Sequence, residues 1–182
     1  RITEANWEAL YDSAKTKMDE SDWEQQVLER SGLDGVYLTN DFDDPLTGFD
    51  TSFYVPCLRT DDLVFHLSKA DVRERFQKAT DSAPSDSAGL KDAIGKLFAH
   101  FKANNVRACA ISLPPFFAPE QVDAATADTV VGKVFSGAEL TECEQTSLSR
   151  FVFWSLAEFC VEYELPFDLM IGVNRRVYEG GV

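Results

Sequence analysis

Four short apolar runs divide the chain, and each is typical of a buried strand. They lie at residues 35–39, 53–58, 106–113 and 167–173. Before and between them, apolar residues recur every three or four positions, which predicts amphipathic helices. The clearest helical pattern covers 141–163, where Thr141 and Glu144 have the spacing of a capping box. Most of the chain therefore alternates between strands and helices.

Alternation of this kind is typical of an α/β fold with parallel strands and right-handed helical crossovers. A closed (β/α)₈ barrel needs eight strands and about 250 residues, whereas this sequence has 182 residues and four predicted strands. We therefore predict the α/β class, as part of a TIM-type barrel. Residues 1–182 are expected to form one incomplete domain segment, with a helical entry region at 1–32 and central strands and helices at 33–182.

Charged residues cluster where the first two predicted strands end. The first strand leads into Asp41, Asp43 and Asp44, and the second leads into Arg59 and Asp61. Closely spaced carboxylates repel one another unless a cation, a donor or solvent relieves them. A solvated turn explains the same residues, because Asp serves turn geometry. Their recurrence after two strands favours a functional site, since ligand-binding groups of α/β folds lie at the carboxyl ends of strands.

The composition narrows the classes of partner. A hydrophobic content of 45% indicates a packed globular protein, and a net charge of -14 argues against nucleic acid and anionic membranes as partners. No apolar run reaches the length of a membrane span. The four cysteines form no C-x-x-C pair, so we expect free thiols, a reducing compartment and a cytoplasmic location.

Three segments carry a resemblance to a known family. Residues 38–45, Leu-Thr-Asn-Asp-Phe-Asp-Asp-Pro, are similar to a strand end that reads Thr-Thr-Asp-Asp-Pro. Residues 56–61, Pro-Cys-Leu-Arg-Thr-Asp, are similar to Phe-Arg-Pro-Asp, and residues 166–175 are similar to Pro-Met-Gln-Leu-His-Ile-Gly-Ala-Leu-Arg. With this order, the chain resembles the uronate isomerases, the glucuronate isomerase branch of the amidohydrolase superfamily.

The resemblance implies a distorted (β/α)₈ barrel, a divalent metal that is commonly zinc, and aldose–ketose isomerisation of a sugar acid of the glucuronate/fructuronate type. It implies that Arg59 binds the substrate carboxylate, because the planar guanidinium matches a carboxylate. Arg175 would provide a second contact. Asp43 and Asp44 would act at the catalytic centre by orienting hydroxyls or neighbouring ligands.

Other interpretations of these residues stay open. Arg59 could pair at the surface with Asp61 or Asp62, and Arg175 could be solvated. Where the family has a His in the last segment, this chain has Met170, and a thioether cannot exchange a proton.

Only two histidines are present, so this segment alone cannot assemble a His-rich metal centre. Zinc is therefore expected only if ligands come from other regions. Two alternative functions remain, a metal-dependent hydrolase of the same superfamily and a non-catalytic sugar-acid-binding barrel. The protein could also form a homo-oligomer.

Overall fold

The computed structural model describes residues 1–172, and the chain divides into two compact units, Arg1–Val36 and Tyr37–Val182. The first unit contains helices α1 (Trp7–Met18) and α2 (Trp23–Ser31), neither of which has a buried residue. Helix α2 ends at Gly32, whose φ of 63° lies in the left-handed region. Glycine stops a helix in this way because it has no Cβ to oppose that conformation.

Four parallel strands form the main sheet of the second unit. They are β2 (Asn40–Asp41), β4 (Cys57–Arg59), β5 (Ala108–Leu113) and β6 (Phe167–Ile171), in the order β2-β4-β5-β6. A second, two-stranded sheet pairs β1 (Val36–Tyr37) with β3 (Tyr54–Val55). The predicted α/β class with parallel strands is confirmed.

The boundaries of the first two predicted strands are corrected by the structure. The run at 35–39 contributes only β1, and the first strand of the parallel sheet is Asn40–Asp41, which lies in the predicted acidic loop. The run at 53–58 is divided into β3 and β4 at Pro56, which has no N–H to donate to a ladder. Apolar periodicity detects extended backbone, but pairing partners decide which residues enter the sheet.

The register aligns one residue from each of the four strands. Asp41 pairs with Arg59, Arg59 with Ala110, and Ala110 with Asp168. Paired residues of adjacent parallel strands present their side chains on the same face of the sheet. We call this set the cross-strand row. On the opposite face, alternate residues are buried, namely Leu58, Cys109, Ile111 and Leu113.

The remaining helices are α3 (Asp61–Phe65), α4 (Ala70–Thr80), α5 (Ser87–Ala103), α6 (Ala124–Ser136) and α7 (Glu142–Glu162). The predicted capping box is present at the start of α7, where Thr141 and Glu144 exchange side-chain and backbone hydrogen bonds. Helices α5 and α7 contribute much of the core. For example, Phe98 of α5 stacks on Phe159 of α7 with their ring centroids 5.2 Å apart. Among residues 1–172, no helix combines the length and apolar character needed to cross a bilayer.

Candidate functional site

A groove of about 600 Å³ lies on the face of the sheet that carries the cross-strand row. Its lining includes Arg59, Ala110 and Asp168 of that row, with Ser112 and Met170 from the next pair of aligned positions. Inward positions of TIM barrels are usually filled by bulky branched residues. Here the central strand β5 supplies Ala110 and Ser112 instead, and their small side chains leave room for a ligand between polar groups.

Arg59 is held in this groove at one edge of its guanidinium. Its Nε donates a hydrogen bond to Asp61 Oδ2 at 3.3 Å, and Asp61 Oδ1 accepts one from the Ser112 backbone N–H at 3.3 Å. The Arg59 side chain is 40% exposed. Within residues 1–172, neither of its terminal nitrogens has a hydrogen-bond partner. The alternative pairing of Arg59 with Asp61 is therefore present, and it does not involve the two terminal nitrogens that would bind a carboxylate.

Asp43, one of the predicted catalytic residues, is bound by Arg75 of helix α4. Arg75 Nε donates to Asp43 Oδ2 at 2.9 Å and Nη2 donates to Oδ1 at 2.5 Å. Nη1 donates to Asp62 Oδ2 at 3.0 Å, and a longer contact of 3.5 Å reaches Asp41. The guanidinium carbon also lies 4.9 Å from the centre of the Phe42 ring, a cation–π arrangement.

Arg75 therefore provides the cation that relieves the carboxylates after the first strand. Its hydrogen bonds to Asp43 are the main reason that the pKa of this carboxyl lies below its ordinary value, with burial opposing the shift. The pKa of Arg75 is raised, first by the same hydrogen bonds. A bidentate, charge-assisted pair of this kind fixes the geometry of both partners.

Asp44, the other predicted catalytic residue, organises the turn. Its Oδ1 accepts a hydrogen bond from the Leu46 N–H at 2.7 Å, and its Oδ2 accepts one from Asn40 Nδ2 at 3.0 Å. Asn40 Oδ1 in turn accepts from the Cys57 N–H at 3.3 Å. This is the Asx-type turn chemistry that the alternative interpretation of the acidic loop described.

The structure brings Asp43, Asp44 and Arg59 to one edge of the sheet but not into one site. Arg59 lines the groove, whereas Asp43 lies along a separate cleft with Pro45 and His100. The catalytic roles expected of Asp43 and Asp44 stay predictions, and the contacts of both carboxylates favour a supporting role. Arg175 lies outside the described residues.

Two charged residues of the site area were not identified from the sequence. Arg75 is one of several charged residues on an amphipathic helix, and no local pattern distinguishes it. Asp168 could have been found, because it precedes Met170 by two positions in a predicted strand and so shares its face. Asp168 is exposed and lines the groove, and its negative charge adds to burial, the larger cause, in raising the pKa of the Cys57 thiol.

The described residues do not fit a zinc ion. Within residues 1–172, no three side chains of His, Cys, Asp or Glu come together as metal ligands. His100 Nε2 lies 3.1 Å from the Asp44 carbonyl oxygen, away from the groove. Met170 is 59% exposed and lines the groove, in the place where the resemblance would put a His. The expected zinc therefore depends on ligands other than these.

This chain is similar in structure to known proteins. No protein-family profile matches the chain, and no curated protein sequence matches it. Uronate isomerase from Thermotoga maritima is similar with a TM-score of 0.78 and 22% identity, over 92% of this chain and 39% of that one. Glucuronate isomerase from Caulobacter crescentus has a TM-score of 0.79 and 11% identity, over 99% and 39%. A uronate isomerase from Bacillus halodurans has a TM-score of 0.59 and 18% identity, over 94% and 37%.

These similarities concern the fold, since all three identities are low. Almost the whole of this chain matches each enzyme, while it spans less than two-fifths of their length. The resemblance found in the short sequence segments is thus confirmed in the arrangement of strands and helices. The chain has the fold of a part of the uronate isomerases.

Proposed function

We propose that this chain contributes the carboxylate-binding part of an active site that interconverts an aldose uronate and its keto isomer. The observation that carries the proposal is the Arg59 guanidinium, which lies in a groove and is bound at Nε by Asp61, while its terminal nitrogens have no partner among residues 1–172. A guanidinium with a free edge is suited to bidentate binding of a carboxylate. The uronate isomerase fold supports the same class of ligand.

The reaction requires a base to take a proton from C2 and return it to C1, while a second proton passes from O2 to O1. Binding of the C6 carboxylate by Arg59 would hold the sugar at the end remote from these carbons. Such positioning lowers the barrier by fixing the reacting atoms relative to the catalytic groups. We assign no proton-transfer step to Asp43, because Arg75 occupies both of its oxygens. No step is assigned to a metal, because the described residues do not fit one.

A non-catalytic sugar-acid-binding protein is the second candidate. The observation that favours it is Met170, which faces the groove where the resemblance implies a His. Met cannot carry a proton between two carbons. Both candidates bind a sugar acid, but only the isomerase converts glucuronate to its keto isomer.

The test is calorimetric titration of the complete protein with glucuronate, combined with an assay for the keto product. Replacing Arg59 by Ala is expected to weaken glucuronate binding by about 2 kcal/mol or more, which is about 30-fold. Arg59→Lys should recover part of the loss, because it restores the charge without the planar fork. Arg150→Ala is the matched control, since Arg150 pairs with Glu120 at 2.8 Å and does not line the groove.

Unchanged affinity in Arg59→Ala would overturn the proposal. Binding that depends on Arg59, without formation of the keto product, would select the non-catalytic candidate. Turnover that depends on Arg59 would select the isomerase.

A further inference from the structure

Arg59 and Asp168 both belong to the cross-strand row, with one small residue between them. Ala110 is the backbone partner of both, Arg59 on β4 and Asp168 on β6. Adjacent strands lie about 4.8 Å apart, so the two charged residues are separated by roughly 10 Å at their Cα atoms. Both line the same groove. The sheet thus presents a cation and a carboxylate on one face, across the gap that the Ala110 methyl leaves.

The carboxylate of Asp168 is not used by another charged group of the described chain. None of the ion pairs among residues 1–172 includes it. Three other carboxylates near this edge do have such partners, since Asp43 and Asp62 bind Arg75 and Asp61 binds Arg59. Asp168 differs from these three in having no cationic partner within the described part of the chain.

We propose that Asp168 accepts hydrogen bonds from hydroxyl groups of the sugar acid whose carboxylate is bound by Arg59. This inference rests on the proposed function. An ionised carboxylate only accepts hydrogen bonds, and its two oxygens suit the two hydroxyls of a neighbouring pair of sugar carbons. Arg59 recognises the acidic end of the ligand, and Asp168 recognises the hydroxylated end.

The pairing has a consequence for specificity. A sugar acid that lacks the contacted hydroxyl leaves the Asp168 carboxylate without that donor, and sites built for a hydroxyl discriminate strongly against ligands that lack it. Neutral sugars lose the Arg59 contact instead. Asp168 thus helps to determine which hydroxylated acid binds. Arg59 determines that the ligand must carry a carboxylate.

The experiment measures the affinity of the complete protein for glucuronate and for its 2-deoxy and 3-deoxy analogues, in the wild type and in Asp168→Ala. Loss of the charged acceptor should weaken glucuronate binding about tenfold. For an analogue that lacks one contacted hydroxyl, the same substitution should change affinity only about threefold, because only the other hydroxyl remains to donate. Asp168→Asn, which keeps one acceptor oxygen, should fall between the wild type and Asp168→Ala.

Asp92→Ala serves as the control for loss of one negative charge, because Asp92 is exposed on α5 and does not line the groove. Its affinity for glucuronate should match the wild type, and thermal melts should show that all variants are folded. An unchanged glucuronate affinity in Asp168→Ala, or an equal loss for all three ligands, would overturn the inference. If Arg59→Ala still weakens binding in that case, the proposed function stands and only the role of Asp168 fails.

Discussion

Two arginines near the carboxyl edge of the parallel sheet use the same functional group in different ways. Arg75 is directed at three carboxylates and lies over the Phe42 ring. Arg59 contacts one carboxylate through Nε and has its terminal nitrogens free among residues 1–172. Exposure does not separate them, since the side chains are 35% and 40% exposed. The difference lies in the number of protein partners.

The number of protein partners indicates whether each guanidinium contributes mainly to stability or to ligand binding. Arg75 connects the turn after β2 to Asp62, which follows β4, so it stabilises the loops at this edge. Each of its three nitrogens already donates to a carboxylate, so a ligand carboxylate that bound it in a bidentate manner would have to displace one of them. Arg59 has two terminal nitrogens without a partner among residues 1–172, so we expect its substitution to change ligand affinity. The comparison can be tested by asking which property each substitution changes.

The largest effect on stability is expected for Arg75→Ala. It removes a bidentate charged pair and leaves Asp41, Asp43 and Asp62 to repel one another. After allowance for solvent screening of a partly exposed group, the free energy of unfolding should fall by about 1–2 kcal/mol. Arg59→Ala should lower it by less than about 0.5 kcal/mol, because a single exposed pair contributes little. Urea unfolding followed by circular dichroism measures both.

Arg75→Lys provides the control for charge, and it should recover only part of the loss because an ammonium cannot bind a carboxylate as a planar fork. Equal destabilisation by Arg59→Ala and Arg75→Ala would remove the distinction between the two arginines.

A smaller effect is expected for Asp61→Asn, and it concerns ligand binding. Asp61 is only 18% exposed and holds Arg59 to the Ser112 backbone of the next strand. Loss of its charge should free the guanidinium and weaken glucuronate binding about fivefold, with a smaller change for neutral glucose.

In Arg59→Ala the same Asp61→Asn substitution should have almost no further effect, because the group that it positions is gone. Calorimetric titration of the two single variants and the double variant measures this coupling. Additive losses would mean that Asp61 acts independently of Arg59.

The smallest effect concerns pH. Because Arg75 lowers the pKa of Asp43 in the folded state, this carboxylate stabilises the fold above its unfolded pKa of about 3.9. The contribution is lost as the pH falls from there through the lower folded pKa. The stability difference between the wild type and Arg75→Ala should therefore be constant above about pH 5 and become smaller below about pH 4. Urea unfolding from pH 3 to 7 would show it, and a difference that grows on acidification would contradict it.

The resemblance and the fold class were accessible from the sequence for a physical reason. Strands of a parallel sheet are usually buried, which accounts for the largely apolar run at 106–113, where alternate residues of β5 are buried. The run at 167–173 has the same composition, although β6 is mostly exposed in the structure. The helix over 141–163 carries its own start signal in Thr141 and Glu144, a local interaction that the structure shows. Arg59 was selected as a carboxylate-binding residue because the resemblance implies that role, and the structure places it at the end of β4, in the lining of the groove.

The partners of the acidic turn were not accessible in the same way. Arg75 is 32 positions from Asp43 along the chain, and only the packing of α4 against the sheet edge brings them together. The same applies to strand β2, whose polar residues Asn40 and Asp41 enter the sheet because β4 offers them backbone partners.

The sequence by itself determined the alternation of elements, the parallel α/β class, the capping of α7 and the presence of charged residues at strand ends, since each depends on neighbours within a few positions. The tertiary structure decided which charges meet. It paired Asp43 with Arg75, bound Arg59 only at Nε among the described residues, and aligned Asp168 with Arg59 across Ala110. Register and helix packing set those distances, and both arise from contacts between residues far apart in the chain.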